Sequence, residues 1–176
     1  MCEKSFRMLE LRGPLYKNTI MKMFPHIMNE VKEIGRTPGD FIDLGRAALV
    51  LAQLARPKCA ISPYLRHFEK LEQNVADYAN GALDLSTQHE ALVQVINKRF
   101  GYTGTLRSFD MLEAANLMRV IDRRIGLPVA LGIIYISVAR KLGWFAYGLN
   151  FPARFLIRLD ANGERRIIDP FENGKA

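Results

Sequence analysis

"FPARFLIRLDANGERRIIDPF", residues 151–171, reads as two short strands joined by a tight turn. "RFLIRLD" and "RRIID" are rich in β-formers. Asn162-Gly163, inside the intervening "ANGE", is the strongest short hairpin signal, because a two-residue type I′ turn needs positive φ at both positions. If those residues make the turn, Ala161 faces Glu164, and counting back sets Leu156 opposite Asp169. Arg154 then shares a face with Asp169, one diagonal step away and within reach of a long side chain.

Upstream, "WFAYGLNF" (144–151) is a further β-rich run, and from Thr37 up to it the chain reads as a series of helices broken by loops such as "GYTG". "PVALGIIYISVARKL" begins with Pro128 at a first helical position, carries Arg140 and Lys141 in its last turn, and is followed by Gly143. Almost no side of it is polar before Arg140, so its surroundings must be mostly apolar. "TPGD" offers Thr37 as an N-cap, with Pro38 next and Asp40 favouring the dipole. Phe41, Leu44, Ala48, Leu51 and Ala55 then recur at helical spacing until Arg56-Pro57. Ser62 and Pro63 repeat the device for a helix ending at Gly81, striped by Leu65, Phe68, Leu71 or Glu72, Val75 and Tyr78. Thr87 with Glu90 makes a capping box for a third helix that stops before Gly101, and Asp110 with Glu113 opens a fourth through "EAANLMRVIDRRI". In residues 1–36, "RGPLYKN" breaks the pattern and the Met-rich "IMKMFPHIMNEV" suits a short amphipathic helix. Helices first and strands after predict an α+β fold.

The chain of 176 residues is 49% apolar and 24% charged, which is ordinary for a globular protein with a proper core. Cys2 and Cys59 have no partner at a metal-type spacing, which predicts a reduced, intracellular protein. Glu3 and Glu10 interrupt the N-terminal apolar residues, so no secretory signal is expected. The nearly apolar run at 127–139 is too short to span a bilayer, and the expected location is the cytoplasm. The net charge of +7 is uneven: residues 1–97 hold 12 Lys and Arg against 11 Asp and Glu, residues 98–176 hold 13 against 7. A basic C-terminal half admits RNA or an acidic partner as ligand, although dispersed charges of this kind also make an ordinary solvated face.

The stretch "NLMRVIDRRIGLPVALGIIYISVARKLGW", followed by "GLNFPARFLIRL" and "IIDPF", together with "PYLRHFEKL" (63–71), resembles the bacterial SirB family, which has a transglutaminase-like core. The resemblance covers roughly residues 40–174 and is most specific in the C-terminal half. It implies a papain-like arrangement in which a helical N-terminal part packs on a transglutaminase-like core with an antiparallel sheet. The expected organisation is an N-terminal segment at 1–36, a helical region at 37–100 and the core at 101–176. The core ends early, because the family usually continues past "DPF" with a helical region; that would leave an edge strand for a partner to cover.

The resemblance also implies a triad: a cysteine at the start of a buried helix, then a histidine and an aspartate from adjacent strands. A helix N-terminus lowers a thiol pKa, an imidazole takes its proton, and a carboxylate fixes the tautomer. Here the helix start reads "GLPVAL", with Pro128 at about the nucleophile's position. The family's "FPGHF" is "FPARF", with Ala153 for glycine and Arg154 for histidine, while Asp169 survives in "IDPF". Asn116, in "AANLMRV", matches an asparagine common in the family and is a candidate to line the old site, or a buried hydrogen-bonded Asn. A guanidinium cannot accept a proton at neutral pH, so the dyad becomes an Arg154–Asp169 ion pair, either a structural salt bridge closing the strands or a pair that binds an anion or a partner.

The reading is therefore a non-catalytic binding or regulatory module with a degenerate triad, Asn116, Arg154 and Asp169 as binding residues, a protein partner, no cofactor and no metal. His26, His67 and His89 match no metal spacing, and there is no glycine-rich phosphate loop. The alternatives are a transglutaminase- or protease-like enzyme with an unrecognised nucleophile, for which Cys59 would need a base from elsewhere, and an RNA or acidic-partner binder using the basic half.

Overall fold

The computed structural model describes residues 24–39, 42–152 and 154–176. Its order is α1 (Pro25–Arg36), α2 (Leu44–Ala55), α3 (Ser62–Ala79), α4 (Leu85–Leu92), a π-helical stretch (Val93–Arg99), two 3₁₀ turns (Leu106–Asp110 and Leu112–Ala115), α5 (Leu117–Arg123), α6 (Pro128–Lys141), and strands β1 (Phe145–Phe151), β2 (Arg154–Ala161) and β3 (Glu164–Ile168). The fold class is α+β, with one antiparallel sheet in the order β1-β2-β3.

α6 is the axis of the core. Leu131, Ile134, Tyr135 and Val138 are all buried, as its all-round apolar sequence requires. It packs against α2, α3 and α5 on the helical side and against β1 and β2 on the other. Ile157 and Leu159 of β2 and Ile168 of β3 complete that side of the core. Helix and sheet approach closely because two glycines make room for one ring. A Cβ on Gly132 would stand 2.4 Å from Phe155, and one on Gly148 2.5 Å from it. The "NG" hairpin forms as its sequence predicts. Asn162 and Gly163 have φ of 51° and 79°, and Ala161 pairs with Glu164.

Helix starts depart from the sequence reading at four places, and at three of them (α2, α4 and α5) a nearer side chain takes the orphan N–H groups. Thr37 closes α1, its hydroxyl donating to Glu33 O at 2.9 Å; α2 begins only at Leu44, where the Asp43 carboxylate accepts from Arg46 N at 3.0 Å. Asp40 and Phe41 lie outside the described residues. Ser62 is already inside α3 and makes no cap bond. Asp84, not Thr87, caps α4, accepting from Thr87 N at 2.8 Å. The helix expected from Asp110 is broken into 3₁₀ turns and restarts at α5, where Asn116 Oδ1 accepts from Arg119 N at 3.2 Å. Trp144 is half-buried and packed against the core. Among the described residues no helix is long and apolar enough to cross a membrane.

Candidate functional site

The hairpin and the start of α6 meet in a cleft of about 200 Å³. Pro128 occupies the first turn of α6 on one wall. Arg154 opens β2, Asp169 follows β3, and Leu106, Phe109 and Phe171 make an apolar border. Three of the four residues singled out from the sequence, Pro128, Arg154 and Asp169, therefore line one cleft. The contact predicted by counting from the turn is present: Arg154 Nη1 lies 3.3 Å from Asp169 Oδ2. Ala153 lies outside the described residues.

The two halves of this ion pair are unlike. Asp169 is 13% exposed at its side chain and Arg154 is 58% exposed, with Glu172 a looser second partner at 3.9 Å. Asp169 is tied down independently of Arg154. Its Oδ1 accepts from Phe171 N at 2.9 Å and Glu172 N at 3.3 Å, and its backbone N–H donates to Lys175 O at 2.8 Å. The carboxylate thus organises the turn after β3 as an Asx turn does. Arg154 is a flexible cation laid over it, and an exposed pair of this kind contributes about 0–1 kcal/mol.

The cleft wall shows why Gly104 stands where it does. A Cβ there would fall 2.1 Å from the Phe171 ring, which also packs on Phe109 at 5.4 Å between centroids. Chemically the cleft offers a guanidinium donor, a carboxylate acceptor already engaged, and aromatic surface. Among its lining residues there is no thiol, hydroxyl or imidazole.

Asn116 is elsewhere. Besides capping α5, it donates from Nδ2 to Ala52 O at 2.9 Å and lines a separate apolar cleft of about 410 Å³ bordered by α2 and α6. The sequence offered two readings of Asn116. The bonded one describes its contacts, and its packing on α2 separates it from Arg154.

A third cleft, about 500 Å³, gathers Cys59, Tyr64, His67, Asp122 and Arg124. His67 Nε2 faces the Tyr102 hydroxyl at 2.8 Å and Arg124 Nη1 at 2.7 Å. Burial first, then the charges of Arg124 and Lys70, pull the His67 pKa from 6.5 down to about 4. The imidazole is therefore neutral at physiological pH, and two donors at Nε2 assign its proton to Nδ1. Burial raises the Tyr102 pKa, so its hydroxyl stays protonated. His89 serves the C-terminal turn: Nε2 donates to Gly174 O at 2.7 Å and Nδ1 accepts from Arg166 at 3.2 Å. Among the described residues no three His, Cys, Asp or Glu gather as metal ligands would. Little in the sequence marks the His67–Tyr102–Arg124 cluster, whose members come from three separate segments. The one local hint was an arginine at the position where a helix C-cap favours glycine.

An α+β chain with a helix start, a hairpin and an aspartate arranged around one cleft has the outline of a transglutaminase-like core. The family model described as the transglutaminase-like superfamily matches residues 62–176, well over half the chain, and the chain belongs to that superfamily. It is similar to the UPF0162 protein of Xylella fastidiosa (strain Temecula1), 29% identical over 112 residues, which are 61% of this chain and 40% of the relative. The UPF0162 protein of Vibrio cholerae is 33% identical over 93 residues, 52% of this chain and 34% of that one. F-box only protein 21 of Mus musculus is 37% identical over 65 residues, 36% of this chain and 10% of that protein. The chain thus spans well under two thirds of the length of these relatives. No solved structure matches.

Proposed function

We propose that the chain is a non-catalytic, SirB-like member of the superfamily that binds a protein partner through the Arg154 cleft. The observation that carries this reading is the lining of that cleft. It brings together Pro128 and Arg154, which by the family resemblance fall at about the positions of the nucleophile and the base, with the permanently charged guanidinium over an aspartate engaged by backbone N–H groups. Leu106 and Phe109, 81% and 56% exposed, give the border an apolar surface of the kind that anchors partners. The match to a small fraction of a longer F-box protein is in keeping with a module that recurs inside longer chains. That a module role accompanies this fold is analogy; the missing chemistry is the physical argument.

The test is affinity capture from lysate at low and high salt, with and without nuclease, using the chain and a Leu106→Ser/Phe109→Ser variant. A discrete protein held at high salt by the first and lost by the second supports the reading. A nuclease-sensitive, salt-sensitive catch unaffected by the variant would move the function to the basic C-terminal half.

One observation bears on the enzymatic alternative: Cys59 shares a cleft with His67. His67 Nε2 is already met by the donors of Tyr102 and Arg124, so that nitrogen is not free to take a thiol proton. Labelling of Cys59 by iodoacetamide at no more than the rate of an ordinary exposed thiol is the expected result. A rate tens of times faster, abolished by His67→Asn, would establish the enzymatic reading instead.

A further inference from the structure

Arg124 closes α5 in the left-handed region, with φ 62° and ψ 13°. Glycine is the usual residue in that position, and a side chain held there stores backbone strain of a kind that gathers at binding sites. The guanidinium is fixed in place. It lies 4.7 Å from the centroid of the Tyr102 ring, and its Nη1 donates to His67 Nε2 at 2.7 Å and to the Tyr102 hydroxyl. Every one of these partners is neutral, and among the described residues Arg124 makes no ion pair. Nη2 and Nε make no hydrogen bond there either, and Arg124 borders the open cleft of about 500 Å³.

The cleft wall carries one carboxylate, and it is already satisfied. Asp122 Oδ2 accepts from Arg56 Nη1 at 2.9 Å, and Oδ1 accepts from the Tyr64 hydroxyl at 3.1 Å. Lys70 adds a second positive charge near His67. A half-buried, immobilised cation without a counter-ion, next to a carboxylate that has one, leaves the cleft with an unbalanced positive field. We propose that this cleft is an oxyanion site, in which the free edge of the Arg124 guanidinium takes two oxygens of a carboxylate or phosphate group beside the His67 imidazole. The planar fork of arginine matches either group bidentately, and pre-fixing it on Tyr102 and His67 lowers the ordering cost of binding. The site shares no lining residue with the Arg154 cleft, so it goes beyond the proposed function and stands or falls separately.

The chain has three histidines, which makes an imidazole NMR titration readable residue by residue. The groups facing His67 are Arg124, Tyr102, Lys70 and the ring of Phe100. At constant ionic strength, replacing chloride by inorganic phosphate or by formate is expected to raise the His67 midpoint by about one pH unit, as a new anion nearby should. His26 and His89 are expected to stay unmoved. A response to phosphate alone assigns a phosphate ester, and a response to formate alone assigns a carboxylate. Arg124→Gly, which suits the left-handed backbone, should keep the folded spectrum and abolish the response. If that variant does not fold, Arg124→Lys keeps the charge without the fork and should weaken binding on the order of tenfold. The proposal is overturned if neither anion moves His67, if all three histidines move alike, or if either folded variant responds as the unaltered chain does.

Discussion

Two arginines border two clefts, and the difference between them separates a closed site from an open one. Arg154 is 58% exposed and rests on a carboxylate 3.3 Å away. Arg124 is half-buried, held by an imidazole and a phenol, and has no carboxylate of its own among the described residues. In the first cleft opposite charges cancel within the protein, and a ligand gains little from either. In the second the protein has paid desolvation for a cation and left the neutralisation to something else. Where a guanidinium finds its partner therefore says more about a cleft than its presence does.

The largest effect should come from the anchored member of the first pair. Asp169→Ala removes the acceptor of two backbone N–H groups and is expected to cost about 2 kcal/mol in urea unfolding. A loss no larger than that of Arg154→Ala would break the claim that Asp169 is structural in its own right. Next is Tyr102→Phe, which deletes the hydroxyl joining Arg124 to His67 and should cost about 1 kcal/mol. It should also release the Arg124 side chain, seen as sharper exchange of its guanidinium signal. No change in either would mean that Arg124 is not held by neutral partners as described.

The acid response has a definite sign. His67 titrates near 4 in the folded protein against 6.5 for an ordinary imidazole, so the unfolded chain takes up this proton first. The contribution is fully present above pH 6.5 and is lost as pH falls from there toward 4. The fall in urea midpoint across that window should be shallower in His67→Asn. An identical slope would remove His67 from the account. Smallest is Arg154→Ala: the pair is exposed, and the change in stability should stay below about 1 kcal/mol. A larger loss would show that the first cleft depends on its ion pair after all.

The parts of this architecture that the sequence disclosed are those controlled by neighbours in the chain. Asn162-Gly163 sets the hairpin, the hairpin sets the register, and the register brings Arg154 to Asp169, so one turn was enough to find that pair. The length and burial of α6 followed in the same way from Pro128, the apolar run and Gly143. Helix starts were less legible, because several polar residues near each one can cap it. The choice of Asp43 over Thr37, or Asp84 over Thr87, depends on which side chain reaches the free N–H groups once the helix is packed.

By itself, then, the sequence determined the α+β class, the central apolar helix and the geometry of the hairpin, since each rests on periodicity or on a turn a few residues long. Tertiary structure alone decided that Asn116 caps α5 and bonds α2 rather than joining the Arg154 cleft. It also decided that Phe171 needs Gly104, and that His67, Tyr102 and Arg124 meet around one unbalanced charge. The tertiary contacts among these join residues 22 to 67 positions apart, distances over which side-chain pattern carries no signal and only the packing of the whole chain fixes who meets whom.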